Sequence, residues 1–550
     1  MPTININRKV FEKLVGKKLP TEKLKDRISY LGTDLEEINE KEIIVEIFPN
    51  RPDMLSVQGL ARAFSSFIGH KTGLRNYKVH KSNEKMIIEK SVANVRPYTA
   101  CAIVKDLHFD NEKIKEVIDT QEKLHVTYGR NRKKVAIGIY PFEKIKAPIR
   151  FMARKPEEII FQPLEFPRKI NALQILKQHP AGRDYGHLLE GKEKFPVFID
   201  ANNEVLSVPP IINSHKTGKI SEKTKDVFIE CSGFDFEIMK KCLNMIVCTL
   251  AEMDGKIYSM ELIYGNKKYI TPDLSPESIK VDIDYTNKLL GLNLKENEVK
   301  KLLERMGHGY MNKKARIPAY RADIIHQADL AEDISIAYGY ENFKALIPHV
   351  ATVAAENKFE IFKNKLSNLL IGLDLIETIA YDLTNKEFQC KRMNTDLQLV
   401  ELANSISSDY NVLRSWIVPS LMEILSNNKH HEYPQKIFTI GTIFKKNDKF
   451  ETNIEENQRL AVAIASEKTD YTEIRQVLDY LFRSLGLEYE IVEAEHNSFI
   501  EGRLGRVRTN GKKVAYIGEI NPKIITNWGL EIPVTAFELN LTELYRIINR

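Results

Sequence analysis

Residues 318–342 read P-A-Y-R-A-D-I-I-H-Q-A-D-L-A-E-D-I-S-I-A-Y-G-Y-E-N and set Asp323, Asp329, Glu332 and Asp333 into an otherwise apolar segment. Positions 329, 332 and 333 follow the spacing i, i+3, i+4, so a helix presents them on one face. Asp323 lies just ahead, within reach of that face where the chain turns into the helix. Two carboxylates about 4 Å apart repel by roughly 4 kcal/mol at an effective dielectric near 20. The quartet therefore requires a cation, a basic partner or full solvation. Oxygen-only ligands with no His or Cys among them favour a hard ion such as magnesium. The competing reading is a solvated acidic helix face, and the segment taken alone favours it.

Working outward, a chain of 550 residues exceeds what one hydrophobic core supports, so several domains are expected. With 43% hydrophobic and 28% charged residues it reads as globular, not disordered. The net charge of +6 permits a basic surface for nucleic acid without demanding one. No apolar run approaches the roughly 18 residues of a membrane helix, and M-P-T-I-N-I-N-R at the start lacks an apolar signal core. No membrane is therefore expected as a partner. Cys101, Cys231, Cys242, Cys248 and Cys390 form no C-x-x-C pair. That pattern argues against zinc and suits a reducing cytoplasm.

The expected fold class is α+β multidomain, in four segments: 1–87, 88–268, 269–347 and 348–550. In the first, Thr21 reads as the N-cap of a helix whose apolar stripe is Leu24, Ile28 and Leu31, ended by Gly32. The strand E-I-I-V-E-I-F follows, then the turn P-N-R-P-D, with Asp53 placed to cap a second helix over 56–68. That turn composition argues against a catalytic or RNA-contacting role for Asn50, Arg51 and Asp53. Segment 88–268 alternates short strands such as V-A-I-G-I-Y-P, F-P-V-F-I-D and V-F-I-E-C-S-G, the mark of a mixed α+β domain. Segment 269–347 is a small helical unit that includes E-N-E-V-K-K-L-L-E-R-M-G and closes with the acidic stretch. The last segment begins with a helix carrying Phe359, Phe362, Leu366 and Leu369, then alternates helices with long strands.

Several blocks carry a resemblance. They are N-R-P-D-M-L-S-V-Q-G-L-A-R-A, H-P-A-G-R-D-Y-G-H-L-L-E-G, V-P-P-I-I-N-S-H, the acidic stretch, and N-V-L-R-S-W-I-V-P-S-L-M-E-I-L-S-N-N with K-I-F-T-I-G-T-I-F. In this order they resemble the beta subunit of phenylalanyl-tRNA synthetase of the archaeal and eukaryotic type, over nearly the whole chain. The resemblance implies an editing domain over 88–268, a winged-helix-like unit over 269–347, and a class II synthetase-like antiparallel sheet with helices over 348–550. It implies magnesium held by Asp323, Asp329, Glu332 and Asp333 near the contact with an alpha subunit. Further implications are an α2β2 heterotetramer, tRNA for phenylalanine as the other partner, and absence of the extra anticodon-reading domain of bacterial relatives.

The implied activity is ATP-dependent attachment of phenylalanine to its tRNA, with hydrolytic editing of tyrosyl-tRNA. Editing is physically motivated, because an apolar pocket discriminates only about a hundredfold against an isostere that adds a hydroxyl. The positions matching the editing pocket are Ser207, Glu230 and Ser232, with Phe198 as a wall. The family pattern has aspartate, threonine and leucine where Glu230, Ser232 and Phe198 stand, which keeps polarity but alters volume.

The residues also argue that the last segment binds no ATP. A class II site needs an arginine on its second motif strand and a glycine-rich turn entering an arginine-bearing helix. The strand K-I-F-T-I-G-T-I-F has no arginine. Arg503 and Arg506 belong to a run that leads into a hairpin at Asn510-Gly511. Both therefore read as structural or tRNA-facing. The clusters R-N-R-K-K at 130–134 and K-K-N-D-K at 445–449 are candidates for phosphate contact or plain solvation. His430-His431 has no third ligand in view. Two rival functions stand beside the main reading: a free-standing aminoacyl-tRNA deacylase, and a non-enzymatic assembly platform.

Overall fold

The computed structural model describes residues 2–348, 350 and 352–549. Internal contacts divide the chain into two units, Met1–Ile347 and Pro348–Arg550. The architecture is mixed α+β in both.

The first unit opens with a three-stranded antiparallel sheet in the order Thr3–Asn7, Glu42–Glu46, Asp34–Ile38. The alternation in Glu42–Glu46 buries Ile43 and Val45 against Arg8–Val15, Thr21–Tyr30 and Val57–Phe67. Leu24, Ile28 and Leu31 are buried as their spacing predicts. Thr21, however, does not cap its helix. Pro20 occupies that position without a side-chain bond, and the Thr21 hydroxyl instead accepts from Arg8 at 3.0 Å. Asp53 is no cap either: Ser56 accepts the Gly59 amide at 3.0 Å, while Asp53 is buried in a forked pair with Arg51 at 2.8 and 2.9 Å. Gly59 makes this turn possible, since a Cβ there would stand 1.9 Å from the Asp53 carbonyl oxygen.

The next body is an eleven-stranded mixed sheet whose central strand, Lys256–Tyr264, pairs with four neighbours. Strands Lys85–Ile88 and Lys267–Thr271 belong to it, so the boundaries read at 87/88 and 268/269 fall inside strands. Three of its strands matter most below: Val135–Pro141, Val227–Gly233 and Val205–Val208. The first two are buried along their whole length, which is why their sequences read as near-continuous apolar runs. The third body combines helices Ile283–Leu290, Glu296–Arg305 and Gln327–Tyr338 with a three-stranded sheet, order Glu277–Lys280, Lys314–Ile317, Gly309–Met311.

The second unit is built on a seven-stranded sheet, parallel only at the pair Ile376–Glu377 and Gln435–Lys446. Alternation along its long strands yields two apolar faces. One packs on Lys358–Ile371 and Tyr471–Ser484, the other on Val418–Asn427 and Pro522–Asn527. Asn510 and Gly511, both with positive φ (47° and 71°), form the turn between Phe499–Thr509 and Lys512–Ile520. Type I′ hairpin turns demand that geometry. Among the described residues, no helix is long and apolar enough to cross a membrane.

Candidate functional site

The strand pairing Glu230↔Gly138 and Phe198↔Ser207 sets the geometry of the strongest site. Glu230 is 1% exposed and Ser207 2%. Both line a cavity of about 110 Å³ together with His125, Arg132 and Asn213. That volume is on the scale of the ~150 Å³ cavity that holds one benzene ring. The Tyr140 hydroxyl is the hub: it lies 2.8 Å from Ser207 Oγ, 3.1 Å from Glu230 Oε1 and 3.3 Å from Asn213 Oδ1. Gly138 is required beside it, because a Cβ there would stand 2.1 Å from the phenol oxygen and 2.5 Å from Glu230 Oε1.

Glu230 Oε2 has no hydrogen-bond partner among the described residues. Burial pushes this carboxyl up to about 8, against the lowering pull of Tyr140, Arg96 and Ser232. It is therefore mostly protonated at neutral pH. Burial likewise lowers the Arg96 guanidinium, to about 10. Arg96 donates to Ser232 Oγ at 3.1 Å and to the Ser232 carbonyl at 2.6 Å. Ser232 thus faces Arg96 at the rim of the site.

His125 looks like a base but is locked. Its Nε2 accepts the Ile137 amide at 2.8 Å. That leaves Nδ1 as the protonated nitrogen, 3.2 Å from Glu122 Oε1. Burial lowers the ring's proton affinity further. Arg132 holds Glu122 from the other side at 2.8 and 3.1 Å and stacks over Tyr185 at 4.2 Å.

Two of the expected editing residues, Ser207 and Glu230, thus meet in one cavity, with Ser232 beside it. Phe198 sits elsewhere. It is fully buried, stacked on Phe151 at 4.2 Å, within the apolar cluster that backs Tyr140, and it is not among the cavity's lining. Tyr140, Asn213, Arg96 and His125 were not singled out from sequence. Asn213 lies in the quoted V-P-P-I-I-N-S-H block, which forms one cavity wall; Tyr140 is the one hydroxyl in V-A-I-G-I-Y-P.

The acidic quartet is arranged otherwise than a magnesium cage. Arg321 forks onto Asp323 at 2.8 and 2.7 Å and reaches Asp333 at 2.9 Å. Asp333 is also 2.5 Å from His308 Nε2. Asp329 accepts the amides of Ile325 and His326, both at 2.7 Å, as the helix's capping carboxylate. Burial raises the Asp333 carboxyl, but Arg321 and His308 outweigh it and hold it well below the usual range. Glu332 is exposed at the helix surface. Partial desolvation of its carboxyl at the helix surface and the neighbouring Asp333, Asp323 and Asp329 push it up. For Asp323 and Asp333 the positive charge is Arg321; Asp329 is held by backbone amides, and Glu332 has no cationic partner among the described residues beyond the pull of Arg321. Among the described residues no group of three or more His, Cys, Asp or Glu side chains is set to hold an ion. The side chains in this arrangement do not fit a bound magnesium.

In the second unit, the Gly502–Arg508 run is strand, not helix. Arg503 bonds Glu519 at 2.7 Å and Arg506 stacks over Tyr516 at 3.9 Å. The half-buried Glu538 accepts the amides of Ile417 and Val418 at 2.8 and 3.1 Å, which anchors the helix Val418–Asn427.

Three domain descriptions match: Phe-tRNA synthetase beta subunit B1 domain over 1–70, tRNA synthetase B5 domain over 279–340, and phenylalanyl tRNA synthetase beta chain CLM domain over 344–541. Together they define a tRNA synthetase chain. Over 99% of its length it is 41% identical to the whole phenylalanine–tRNA ligase beta subunit of Pyrococcus abyssi. It is 40% identical to that of Thermococcus onnurineus, covering 99% of each chain. A solved N-terminal fragment of the phenylalanyl-tRNA synthetase beta subunit from Pyrococcus horikoshii is 38% identical. It superposes with a TM-score of 0.59, covering 61% of this chain and 99% of that one. The chain belongs to the phenylalanine–tRNA ligase beta-subunit family.

Proposed function

We propose that the chain works as the beta subunit of phenylalanine–tRNA ligase in the cytoplasm, in an α2β2 assembly whose alpha subunit carries the ATP chemistry. The chain itself hydrolyses tyrosine from mischarged tRNA at the Glu230 cavity. The observation that carries this reading is the buried, unpartnered Oε2 of Glu230 in a ring-sized cavity. A phenol hydroxyl completes that carboxyl's hydrogen bonding. Phenylalanine leaves it unpaired, and sites built around a hydroxyl reject the analogue lacking it by about 10⁴–10⁵. Ser207 and Asn213, organised by Tyr140, orient the remainder of the aminoacyl ester. His125, with Nε2 committed to a backbone amide, is not the proton acceptor for the attacking water. The second unit supports the partner: its arginines at 503 and 506 hold Glu519 and Tyr516, and its glycine-rich run enters no helix. Any magnesium in the overall reaction accompanies ATP phosphates on the partner, not the Asp323 quartet.

The test is done on the purified chain with and without its partner. The chain alone is expected to form no adenylate and to hydrolyse tyrosyl-tRNA, with Glu230→Ala abolishing that hydrolysis. Adenylate formed by the chain alone overturns the division of labour. Silence of the assembled enzyme toward tyrosyl-tRNA leaves only the assembly-platform reading.

A further inference from the structure

A second recess, of about 500 Å³, opens at the far end of the strand that carries Glu230. It is lined by five aromatic side chains: Tyr98, Phe234, Phe236, Tyr264 and Tyr269. Four of these rings, Tyr98, Phe236, Tyr264 and Tyr269, have neighbouring centroids 5.0 to 6.2 Å apart, while Phe234 lies against Arg96. Three of the rings stay open to solvent, Tyr98 at 40%, Phe234 at 52% and Tyr269 at 39% exposure. Aromatic side chains of this size ordinarily bury themselves, so an open cluster marks a recognition surface.

The surroundings indicate what it takes. Arg96 lies over Phe234 at 5.5 Å while bonding Ser232 at the cavity rim and the Arg132 carbonyl at 3.4 Å. Arg132 itself lines the cavity. The loop 130–134, R-N-R-K-K, therefore lines the cavity through Arg132 and is tied to Phe234 of the recess through Arg96, with Arg130 and Lys133 exposed. Lys267 lines the recess as well. Its acidic neighbours are already engaged: Asp235 caps the helix Phe236–Ala251, and Glu237 pairs with Lys240 at 2.7 Å. Open aromatic faces beside a basic loop are the two elements by which proteins hold single-stranded nucleic acid. Phe234 follows Glu230 by four residues, roughly 13 Å at ~3.3 Å per residue. A few unpaired nucleotides span that distance.

We propose that this recess and loop form a binding track for the unpaired 3′ end of an RNA. Bases stack against Phe234 and Tyr269, and phosphates meet Arg130 and Lys133, so that the terminal aminoacyl ester reaches the Glu230 cavity. The proposal rests on the hydrolytic reading of that cavity, but its test does not use hydrolysis.

The test uses the assembled enzyme and tRNA carrying 2-aminopurine in its unpaired 3′ end, whose fluorescence is quenched by stacking. The parent is expected to quench the probe. Phe234→Ala with Tyr269→Ala is expected to abolish quenching and weaken binding of the tRNA by at least about 30-fold, two base–aromatic stacks being lost at ~1 kcal/mol or more each. Phe234→Trp is expected to retain quenching, which excludes a general loss of fold. Arg130→Ala with Lys133→Ala is expected to lower the slope of log affinity against log salt by roughly 1.4, at ~0.7 per single-strand phosphate. Unchanged quenching in the Phe234/Tyr269 variant overturns the proposal. So does loss of subunit association with quenching intact, which marks the surface as a protein contact. If Glu230→Ala fails to impair hydrolysis while quenching behaves as expected, the fault lies in the cavity's assignment and not in the track.

Discussion

Replacing Glu230 by Gln removes the one ionisable group in the cavity whose proton affinity burial raises most usefully, and its effect on stability has a definite sign. The carboxyl rises from an ordinary value near 4.5 to about 8 in the folded chain. At ~1.4 kcal/mol for each tenfold change in a protonation equilibrium, that rise amounts to roughly 5 kcal/mol. A raised folded value means stability that is fully present below pH 4.5 and is lost as pH rises toward 8, because the unfolded chain ionises first. Glutamine does not ionise, so Glu230→Gln escapes this loss. The variant should match the parent closely near pH 4.5 and gain on it steadily up to pH 8, where the difference levels off at a few kcal/mol. Hydrogen exchange of the amides in Val227–Gly233, read across pH 5 to 9 at matched intrinsic rates, measures the local difference directly. A difference that stays flat within about 1 kcal/mol across that range refutes the buried-carboxyl argument.

Three further outcomes follow from the geometry. Gly138→Ala places a methyl group 2.1 Å from the Tyr140 hydroxyl; it should cut tyrosyl-tRNA hydrolysis by at least tenfold while phenylalanine charging continues, as a paired deacylation and charging assay shows. Arg321→Met strands the carboxylates of Asp323 and Asp333 and should destabilise the first unit by about 3–5 kcal/mol in urea denaturation, the range for removing one partner of a buried pair. Because Arg321 already pairs Asp323 and Asp333 and backbone amides hold Asp329, adding magnesium or a chelator should leave the melting temperature of the chain unchanged; a magnesium-dependent rise of several degrees contradicts the ion-pair arrangement.

The parts of this molecule that were legible in sequence are those where local spacing fixes the outcome. The stripe Leu24, Ile28 and Leu31 is buried, and the Asn510-Gly511 turn closes its hairpin. Each needs only neighbours within a few residues. Capping was misread at Thr21 and Asp53 because a side-chain oxygen has several donors within reach, and in both cases an arginine outcompeted the backbone amide. The counter-charge of Asp323 was written two residues away, yet Arg321 serves Asp333 as well only once the chain turns into the helix. His308, its other partner, lies 25 positions away. Likewise Tyr140 sits in an all-apolar strand, and only the tertiary fold brings its hydroxyl to Glu230 on the neighbouring strand and to Ser207 on a strand with which it does not pair. Phe198 pairs with Ser207 in register, but its ring serves the core behind the cavity instead of the cavity's surface.

The central claim is that a single buried carboxyl sorts tyrosine from phenylalanine on the same tRNA. Single-turnover hydrolysis of tyrosyl-tRNA and phenylalanyl-tRNA by the assembled enzyme, parent against Glu230→Ala, tests it most directly. The account predicts strong preference for the tyrosyl ester in the parent and its collapse in the variant; a preference that survives the loss of Glu230 contradicts it.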